Sequence, residues 1–326
     1  MSKIFIGIHG MNNKPPRRVL EKWWKKAIRE GFKLHRYPLF FFKFKLVYWA
    51  DILHPVPLDP KIQNPQHPLF IKYPYSPGSK NNFPRSGKIR QKVLDVLEKQ
   101  MDKIFLNEDL SINFSSINDL IIRRFFKDLD AYYRMDCFDP RNPQQTAKQA
   151  IQQRLIRTLK KYRRHEIFLI THSMGSIVAF DVLSQLAQKV RIDTLATIGS
   201  PLGFPVILSK ISLEQKKAIG MQKNLRTPDN IVRGWYNFAD LRDSVAMDYN
   251  LGDDFFSNRY HVKPIDHVVV NNYEYRGVKN PHKSYGYLRC REMAALLFEF
   301  YNRDRNPLAI KLRNAFNRAA QTFFIF

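Results

Sequence analysis

The chain begins with a strand pattern and then a helix pattern. Residues 3–8 form an apolar run that stops at His9, which is typical of a buried strand ending in a loop. Two adjacent prolines then open a predicted helix over about residues 17–32, because proline fits the first turn of a helix. A second strand is predicted over residues 45–50. The chain therefore starts with a strand–helix–strand unit.

Prolines dominate the next segment. Residues 54–84 contain eight of the 19 prolines of the chain, so they are predicted to form neither a regular helix nor a central strand. Long irregular segments inside compact domains are usually lids or binding loops. Two helices are predicted to follow, near residues 87–105 and 116–133. We interpret residues 52–140 as a cap or lid insertion within a single domain, residues 1–326.

After this insertion, strands and helices alternate regularly. A helix is predicted over about residues 143–164. The elements expected after it are strands 166–171, 192–198, 231–238 and 266–271 and helices 175–188 and 285–301. Strands that are apolar throughout and separated by helices indicate a parallel sheet covered on both faces, so the predicted fold class is α/β. The basic, amphipathic residues 307–326 are expected to dock on this body.

Composition indicates a folded, strongly basic protein. The 326 residues include 54 Lys+Arg and 29 Asp+Glu, a formal net charge of +25, and 44% of them are hydrophobic. A disordered chain would combine high net charge with low hydrophobicity. Two cysteines, Cys137 and Cys290, are too few for a disulfide scaffold or a Cys-based zinc module. Because no apolar stretch suits a signal peptide or a membrane span, we expect a cytoplasmic protein.

The excess positive charge has more than one interpretation. Lys and Arg displace counterions from phosphates in nucleic-acid binders, and they also attract proteins to anionic membranes. A solvated basic surface is the third interpretation. Since no nucleic-acid recognition motif is present, nucleic acid is not predicted as a partner, whereas an anionic membrane surface stays open. The sequence does not indicate an oligomeric state.

The clearest chemical signal is a serine between a strand and a helix. Residues 167–176 read IFLITHSMGS, so an apolar strand runs directly into Ser173 and an apolar helix follows. A nucleophile elbow requires this context, with small residues two before and two after the serine. Gly175 meets the second requirement, but Thr171 stands where the usual pattern has glycine. The alternative role for Ser173 is a helix N-cap.

These residues resemble the α/β-hydrolase superfamily, particularly its lipase- and esterase-like serine hydrolases. The resemblance rests on residues 8–11 (Ile-His-Gly-Met), on residues 171–175 (Thr-His-Ser-Met-Gly) and on an acid and histidine region nearer the C-terminus. It covers most of the chain outside the insertion. It implies a mostly parallel sheet with helices on both faces, and triad residues in the chain order Ser, Asp or Glu, His.

The same resemblance implies an oxyanion hole made by two backbone N–H groups. One belongs to Met174, the residue after the nucleophile, and the other to the loop after the first strand. In that loop His9, Gly10 and Met11 are similar to the His-Gly signature of such hydrolases, and we predict the Met11 N–H as the second donor. The alternative is that His9 and Gly10 only end the strand.

Position relative to the strand ends selects the predicted base. Ligands of open α/β sheets gather beyond the carboxyl ends of the strands. His267 and His261 begin or precede their predicted strand and are therefore expected at the opposite edge. His282 lies beyond the strand end and before a helix, so we predict it as the base, with a surface-loop histidine as the alternative. His172 is expected to point away from the base and is given no chemical role.

Two aspartates, Asp240 and Asp243, follow predicted strand 231–238. Related hydrolases often carry the pattern Trp-x-Asn-x-x-Asp-x-x-Asp-x-Val after this strand, with the second Asp as the triad acid. The matching residues are Trp235, Asn237, Asp240, Asp243 and Val245. The resemblance thus favours Asp243 as the acid, with Asp240 as the alternative acid or as a brace for the loop.

Together these observations predict a serine hydrolase that cleaves a carboxylic ester of a small molecule or a lipid. Ser173 would attack the carbonyl, His282 would relay the proton and Asp243 would orient His282. No cofactor and no metal site is predicted, because no His or Cys pair has ligand spacing. The alternatives are a phospholipase or lysophospholipase or an acyltransferase on anionic membranes and, from another class, a non-enzymatic basic binding protein with the hydrolase fold.

Overall fold

The computed structural model of this protein describes residues 2–78, 127–133, 138–186, 189–204, 207–208, 211, 225–246 and 249–304. Much of the predicted cap therefore lies outside the described residues, including the helix predicted near 87–105 and most of the one near 116–133. Residues 127–133 are helical, and residues 54–78 contain neither helix nor strand, as their prolines predict. The segment 307–326 also lies outside the described residues, and the cap interpretation of residues 52–140 stays a prediction.

A six-stranded parallel sheet forms the centre of the described chain. Its strands are β1 (Lys3–Ile8), β2 (Phe44–Val47), β3 (Glu166–His172), β4 (Ile192–Ile198), β5 (Ile231–Ala239) and β6 (Pro264–Val268). The spatial order is β6-β5-β4-β3-β1-β2, and every neighbouring pair is parallel. All the carboxyl ends of the strands therefore lie at one edge of the sheet.

Helices cover both faces of this sheet. They are α1 (Arg17–Leu34), α2 (Ala147–Lys161), α3 (Met174–Asp181), α4 (Ser284–Arg289) and α5 (Arg291–Asn302). Because side chains alternate along a strand, Ile4, Ile6 and Ile8 of β1 join the core formed with α2 and α3, while Phe5 joins the core formed with α1, α4 and α5. The predicted α/β fold, with a mostly parallel sheet and helices on both faces, is confirmed.

The remaining elements are short. They are helices Ala50–Leu53 and Leu251–Asp254, the π-helical segment Val182–Leu186, and strands Phe138–Asp139, Asn142–Thr146, Leu225–Arg226, Phe255–Phe256, Glu274–Tyr275 and Val278–Lys279. Within the described ranges, no helix combines the length and the apolar character needed to cross a bilayer.

Two predicted helix boundaries are wrong for identifiable reasons. The helix predicted from residue 143 begins at Ala147, because Thr146 caps it: its hydroxyl accepts the Gln149 N–H, and the Gln149 side chain accepts the Thr146 N–H. The helix predicted over 285–301 is two helices, because the backbone at Cys290 is extended, with ψ 160°.

Two strand predictions are also displaced. The second strand ends at Val47, and the chain turns into helix Ala50–Leu53 where the strand was expected to continue. The last strand was predicted over 266–271, whereas β6 occupies Pro264–Val268. This shift matters for His267, as described below.

Candidate active site

The predicted site residues follow the carboxyl ends of the sheet strands. The loop of Met11 follows β1, Ser173 follows β3 and Asp243 follows β5. His282 lies on the chain between β6 and α4. Because the sheet is parallel, its topology brings these segments to one edge, where open α/β sheets bind ligands.

Ser173 has the backbone conformation of a strained turn. Its φ is 55° and its ψ is −133°, values that non-glycine residues rarely adopt. Its N–H donates to the Ile198 carbonyl at 3.2 Å, which ties the turn to β4. The side chain makes no N-cap hydrogen bond to α3, so the N-cap alternative does not describe this residue. A serine on a strained strand-to-helix turn is the geometry of a nucleophile elbow.

Two glycines let the β1 loop pack directly against this turn. A Cβ added at Gly10 would lie 2.6 Å from the Ser173 Cβ, closer than any real pair of such atoms. A Cβ at Gly175 would lie 2.8 Å from the His9 carbonyl oxygen and 2.9 Å from that of Ile8. The elbow and the β1 loop are therefore in backbone contact, which only glycine permits at these positions.

Thr171, the departure from the usual elbow pattern, is accommodated by a hydrogen bond. Its buried hydroxyl lies 3.1 Å from the Ser176 Oγ on α3. The branched side chain thus links the end of β3 to the first turn of the helix, and its polar atom has a partner.

His282 and Asp243 are in direct contact. The His282 Nδ1 lies 2.9 Å from both carboxylate oxygens of Asp243, which is 1% exposed. Asp243 also accepts the Val245 N–H at 3.0 Å and the Tyr287 hydroxyl at 2.6 Å. With the proton held on Nδ1 by the carboxylate, the His282 Nε2 is left as the atom that can accept a proton.

Asp240 has different partners. Its carboxylate accepts the Arg242 guanidinium at 2.9 and 2.6 Å and the Asn271 N–H at 2.5 Å. Its own N–H donates to the Tyr287 hydroxyl at 3.0 Å. The two aspartates are thus joined through Tyr287, but Asp243 contacts His282 and Asp240 holds the loop together.

Comparison with known proteins agrees with this fold. Residues 134–204, which include β3, Ser173, α3 and β4, match a family described as "Alpha/beta hydrolase of unknown function (DUF900)". The chain has the fold of an α/β hydrolase. No curated protein matches it significantly. The resemblance to the α/β-hydrolase superfamily is confirmed, and a hydrolase is indicated as the enzyme class.

The position of the His172 side chain contradicts the prediction made from the sequence. It was expected to point away from the base, but its Nε2 lies 2.8 Å from the His282 carbonyl oxygen, and the two rings are 4.8 Å apart. Burial lowers the pKa of His172 well below its usual value, so the ring is neutral and its Nε2–H donates to that carbonyl. Sequence reasoning missed this contact because it depends on how the segment before α4 folds over the end of β3.

The prediction that His267 begins its strand is also wrong, although His267 stays outside the site. It is the fourth of five residues of β6 and pairs with Phe238, so it does not begin its strand. Its ring stacks on Phe238, with centroids 5.2 Å apart. His261 precedes β6, as predicted, and is exposed.

His9 fastens the β1 loop from within the core. Its Nδ1 lies 2.7 Å from the Gly10 carbonyl oxygen, and its Nε2 accepts the Trp49 N–H at 3.0 Å. Burial lowers its pKa to about 3, so the ring is neutral. In the sequence His9 stood out only as part of a His-Gly pair. Nothing in the sequence indicated its contact with Trp49, which lies 40 positions further along the chain.

The predicted oxyanion donors belong to two segments that contact each other, the start of α3 and the β1 loop. Met174 begins α3, where first-turn N–H groups have no intrahelical acceptor, and Met11 lies in the β1 loop. The Asn12 N–H donates to Asp128 at 2.6 Å and fixes that loop. The Ser173 Oγ is buried and has no hydrogen-bond partner within the described part of the chain, so the structure does not join it to His282.

No group of three or more His, Cys, Asp or Glu residues in the described ranges is arranged to hold a metal ion.

Proposed function

We propose that this protein is a serine hydrolase that cleaves a carboxylic ester through an acyl-enzyme. The observation that carries the proposal is the strained elbow at Ser173 on the same sheet edge as the buried Asp243 and its partner His282. A strained serine, a histidine with a fixed tautomer and a buried carboxylate are the three parts of a nucleophilic triad.

In the proposed reaction the Ser173 Oγ attacks the ester carbonyl while His282 Nε2 takes its proton. Asp243 keeps the other proton on Nδ1 and stabilises the imidazolium that forms. The N–H groups of Met11 and Met174 donate to the oxyanion, and losing one such donor typically costs about 3–4 kcal/mol. His282 then returns the proton to the leaving alcohol, and water releases the acyl group by the same steps.

One contact must form before this reaction begins. The Ser173 Oγ has no hydrogen-bond partner in the described structure, yet proton transfer requires it to reach His282. Catalytic hydrogen bonds are often long or absent in unliganded enzymes and tighten in the substrate complex. We therefore expect this bond to form when an ester occupies the site.

Labelling with a fluorophosphonate tests the proposal, because this reagent bonds only to activated serines. The folded wild type should be labelled and Ser173→Ala should not. Ser176→Ala is the matched control, since Ser176 is also buried and lies three residues further along the chain. Labelled protein would then be tested on an ester panel, with water and alcohol acceptors compared to distinguish a hydrolase from an acyltransferase. A folded wild type that resists labelling would favour a non-enzymatic binding protein.

An anionic membrane surface is a second proposal, favoured by one exposed patch. Phe41 is 79% exposed and lines a groove together with the cationic side chains of Lys26, Arg29 and Lys33. Apolar insertion beside positive charge is how peripheral proteins bind anionic lipids. In a sedimentation assay with phosphatidylserine vesicles, the wild type should be found in the pellet and Phe41→Ser in the supernatant. Phe256→Ser, at another exposed phenylalanine, should still bind; equal loss in both variants would contradict this surface.

A further inference from the structure

Two lysines border the candidate active site without forming an ion pair to a carboxylate in the described residues. Lys14 lies in the β1 loop, three positions after Met11, and Lys283 directly follows His282. Both side chains are half-buried. One therefore extends from the loop proposed to hold the oxyanion and the other from the segment that carries the proposed base.

The Lys14 ammonium donates two hydrogen bonds within the described residues. It donates to the Met11 carbonyl and, at 3.0 Å, to the Asn12 carbonyl. An ammonium carries three donors, so one has no acceptor within the described residues and can bind a ligand. The carboxylate that faces Lys14, Asp128, is engaged by the Asn12 N–H at 2.6 Å and by His54 at 3.3 Å.

Within the described residues, the Lys283 ammonium donates fewer hydrogen bonds than the Lys14 ammonium. Its Nζ lies 5.7 Å from the centre of the Tyr73 ring, and within the described chain it has no hydrogen-bond acceptor. Its backbone is fixed, because its carbonyl accepts the Asn271 side-chain amide at 2.8 Å. The fixed backbone and the Tyr73 ring hold this cation in place, and no acceptor within the described residues occupies it.

The two positive charges act on each other and on the site. Burial and the charge of Lys283 lower the pKa of Lys14 to about 7, and burial lowers that of Lys283 to about 8. Both charges also help to lower the pKa of His172, which contacts His282. Two neighbouring, half-buried cations are unfavourable alone, and a bound anion would relieve both their repulsion and their loss of hydration.

We propose that Lys14 and Lys283 bind a carboxylate or phosphate group of the substrate, so that this hydrolase prefers esters carrying a negative charge near the scissile bond. This inference rests on the proposed function. A neutral ester would leave both ammonium groups without an ion-pair partner within the described residues, whereas an anionic one would gain charge-assisted hydrogen bonds and be oriented by them. The net charge of +25 would also steer such substrates to the protein.

Matched ester pairs test this preference. In one pair the acyl group of a 4-nitrophenyl ester ends in a carboxylate (adipate) or in the isosteric amide. In the other pair the carboxylate or amide is on the alcohol side. We expect the wild type to prefer the anionic member of at least one pair by about tenfold or more in kcat/KM, the effect of one or two charged hydrogen bonds. Equal rates within both pairs would overturn the inference.

Substitution of single lysines shows which of them cause the preference for anionic esters. Lys283→Met should remove the anionic preference, and the neutral ester measured on the same variant corrects for any effect of the lost charge on the site. Lys14→Met should do the same for selectivity, with the neutral ester reporting any disturbance of the Met11 loop. Lys279→Met, at an exposed lysine four positions before Lys283, is the matched control and should keep the preference. An equal loss in Lys279→Met would assign the effect to overall charge.

A pH series gives a second readout. As pH rises through about 7 to 8, both lysines lose their protons in the free enzyme, so the anionic-to-neutral ratio of kcat/KM should fall. The other titratable groups near these lysines are Asp128, His54, His172, His282 and Tyr73. Ionisations that act equally on the two esters cancel in the ratio of their kcat/KM values. A ratio that stays constant from pH 6 to 9 would contradict binding by these lysines.

Failure of the hydrolase proposal can be distinguished from failure of the anion site. If fluorophosphonate does not label the wild type, inorganic phosphate replaces the esters and thermal unfolding is measured. Stabilisation of wild type and Lys279→Met but not of Lys283→Met would support the anion site in a protein without the proposed activity. Equal stabilisation of all three would overturn the site as well.

Discussion

The proposed nucleophile and the proposed acid–base pair of the candidate site are held by different forces. Asp243 and His282 are fixed by hydrogen bonds: the carboxylate accepts the His282 ring, the Tyr287 hydroxyl and the Val245 N–H. Ser173 is fixed by its backbone, with a φ of 55° and the Gly10 backbone packed against its side chain. Its hydroxyl has no hydrogen-bond partner in the described chain.

This difference predicts opposite sensitivities. The acid–base half should be damaged by changes that keep shape and alter hydrogen bonding, because its geometry depends on donors and acceptors. The nucleophile half should be damaged by added atoms, because its geometry depends on close packing. Each half is therefore best tested with the kind of change to which it should be most sensitive.

Asp243→Asn should have the largest effect on the acid–base half. The amide keeps the shape of the carboxylate but no longer holds the proton on the His282 Nδ1, so kcat should fall by about 10³–10⁴. Asp240→Asn is the matched control in the same loop, since Asp240 braces Arg242 and Asn271. If Asp243→Asn hydrolysed esters and Asp240→Asn did not, the roles of the two aspartates would be reversed.

Gly10→Ala tests the nucleophile half by adding one carbon. The new Cβ would lie 2.6 Å from the Ser173 Cβ, so either the β1 loop or the elbow must move. A displacement of about 1 Å near reacting atoms can cost about 10² in rate, and the fluorophosphonate labelling rate should fall by about that factor. Circular dichroism would establish that the variant is folded. Labelling at the wild-type rate would mean that the packing at Gly10 does not position the serine.

The sequence predicted best what depends on local pattern. The strands and the elbow follow from apolar runs and from Ser173 at a strand–helix boundary. The resemblance favoured Asp243 over Asp240, and the structure brings Asp243 to His282. A local signal for the start of α2 was also present but unused, because Thr146 and Gln149 have capping-box spacing.

Contacts between segments distant in sequence could not be read in this way. His172 reaches the His282 carbonyl only because the segment before α4 folds over the end of β3. Lys14 and Lys283 affect each other only because the parallel sheet brings their loops to one edge. Periodicity assigns a residue to an element and a face, but these distances depend on loop conformations that no periodic pattern specifies.

The lowered pKa of His9 makes the stability of the loop beside Ser173 depend on pH. Its pKa is about 3 in the folded chain and about 6.5 in an unfolded one, so between these values the unfolded chain binds more protons. Stability should therefore fall as pH decreases, by about 2 kcal/mol from this residue at pH 5. His9→Gln does not titrate there and should lose about 2 kcal/mol less than wild type between pH 7 and 5 in urea unfolding. Equal losses would remove His9 as the acid-sensitive group of this loop.

Tyr287→Phe should have the smallest effect, and it tests whether hydrogen bonding tunes the acid as well as holding it. The substitution removes the hydroxyl 2.6 Å from Asp243 and leaves the ring. A hydrogen bond to a charged group contributes about 1.5–3 kcal/mol, part of which nearby donors can replace, so kcat/KM should fall by about tenfold. The carboxylate, with one donor fewer, should bind the His282 proton more tightly, and the acidic limb of the pH–rate profile should move to higher pH. Tyr285→Phe, at the buried tyrosine two positions before, is the matched control. A tyrosine that only packs would lower stability in both variants and leave the acidic limb in place, whereas a shift confined to Tyr287→Phe would mean that this hydroxyl sets the basicity of the Asp243–His282 pair.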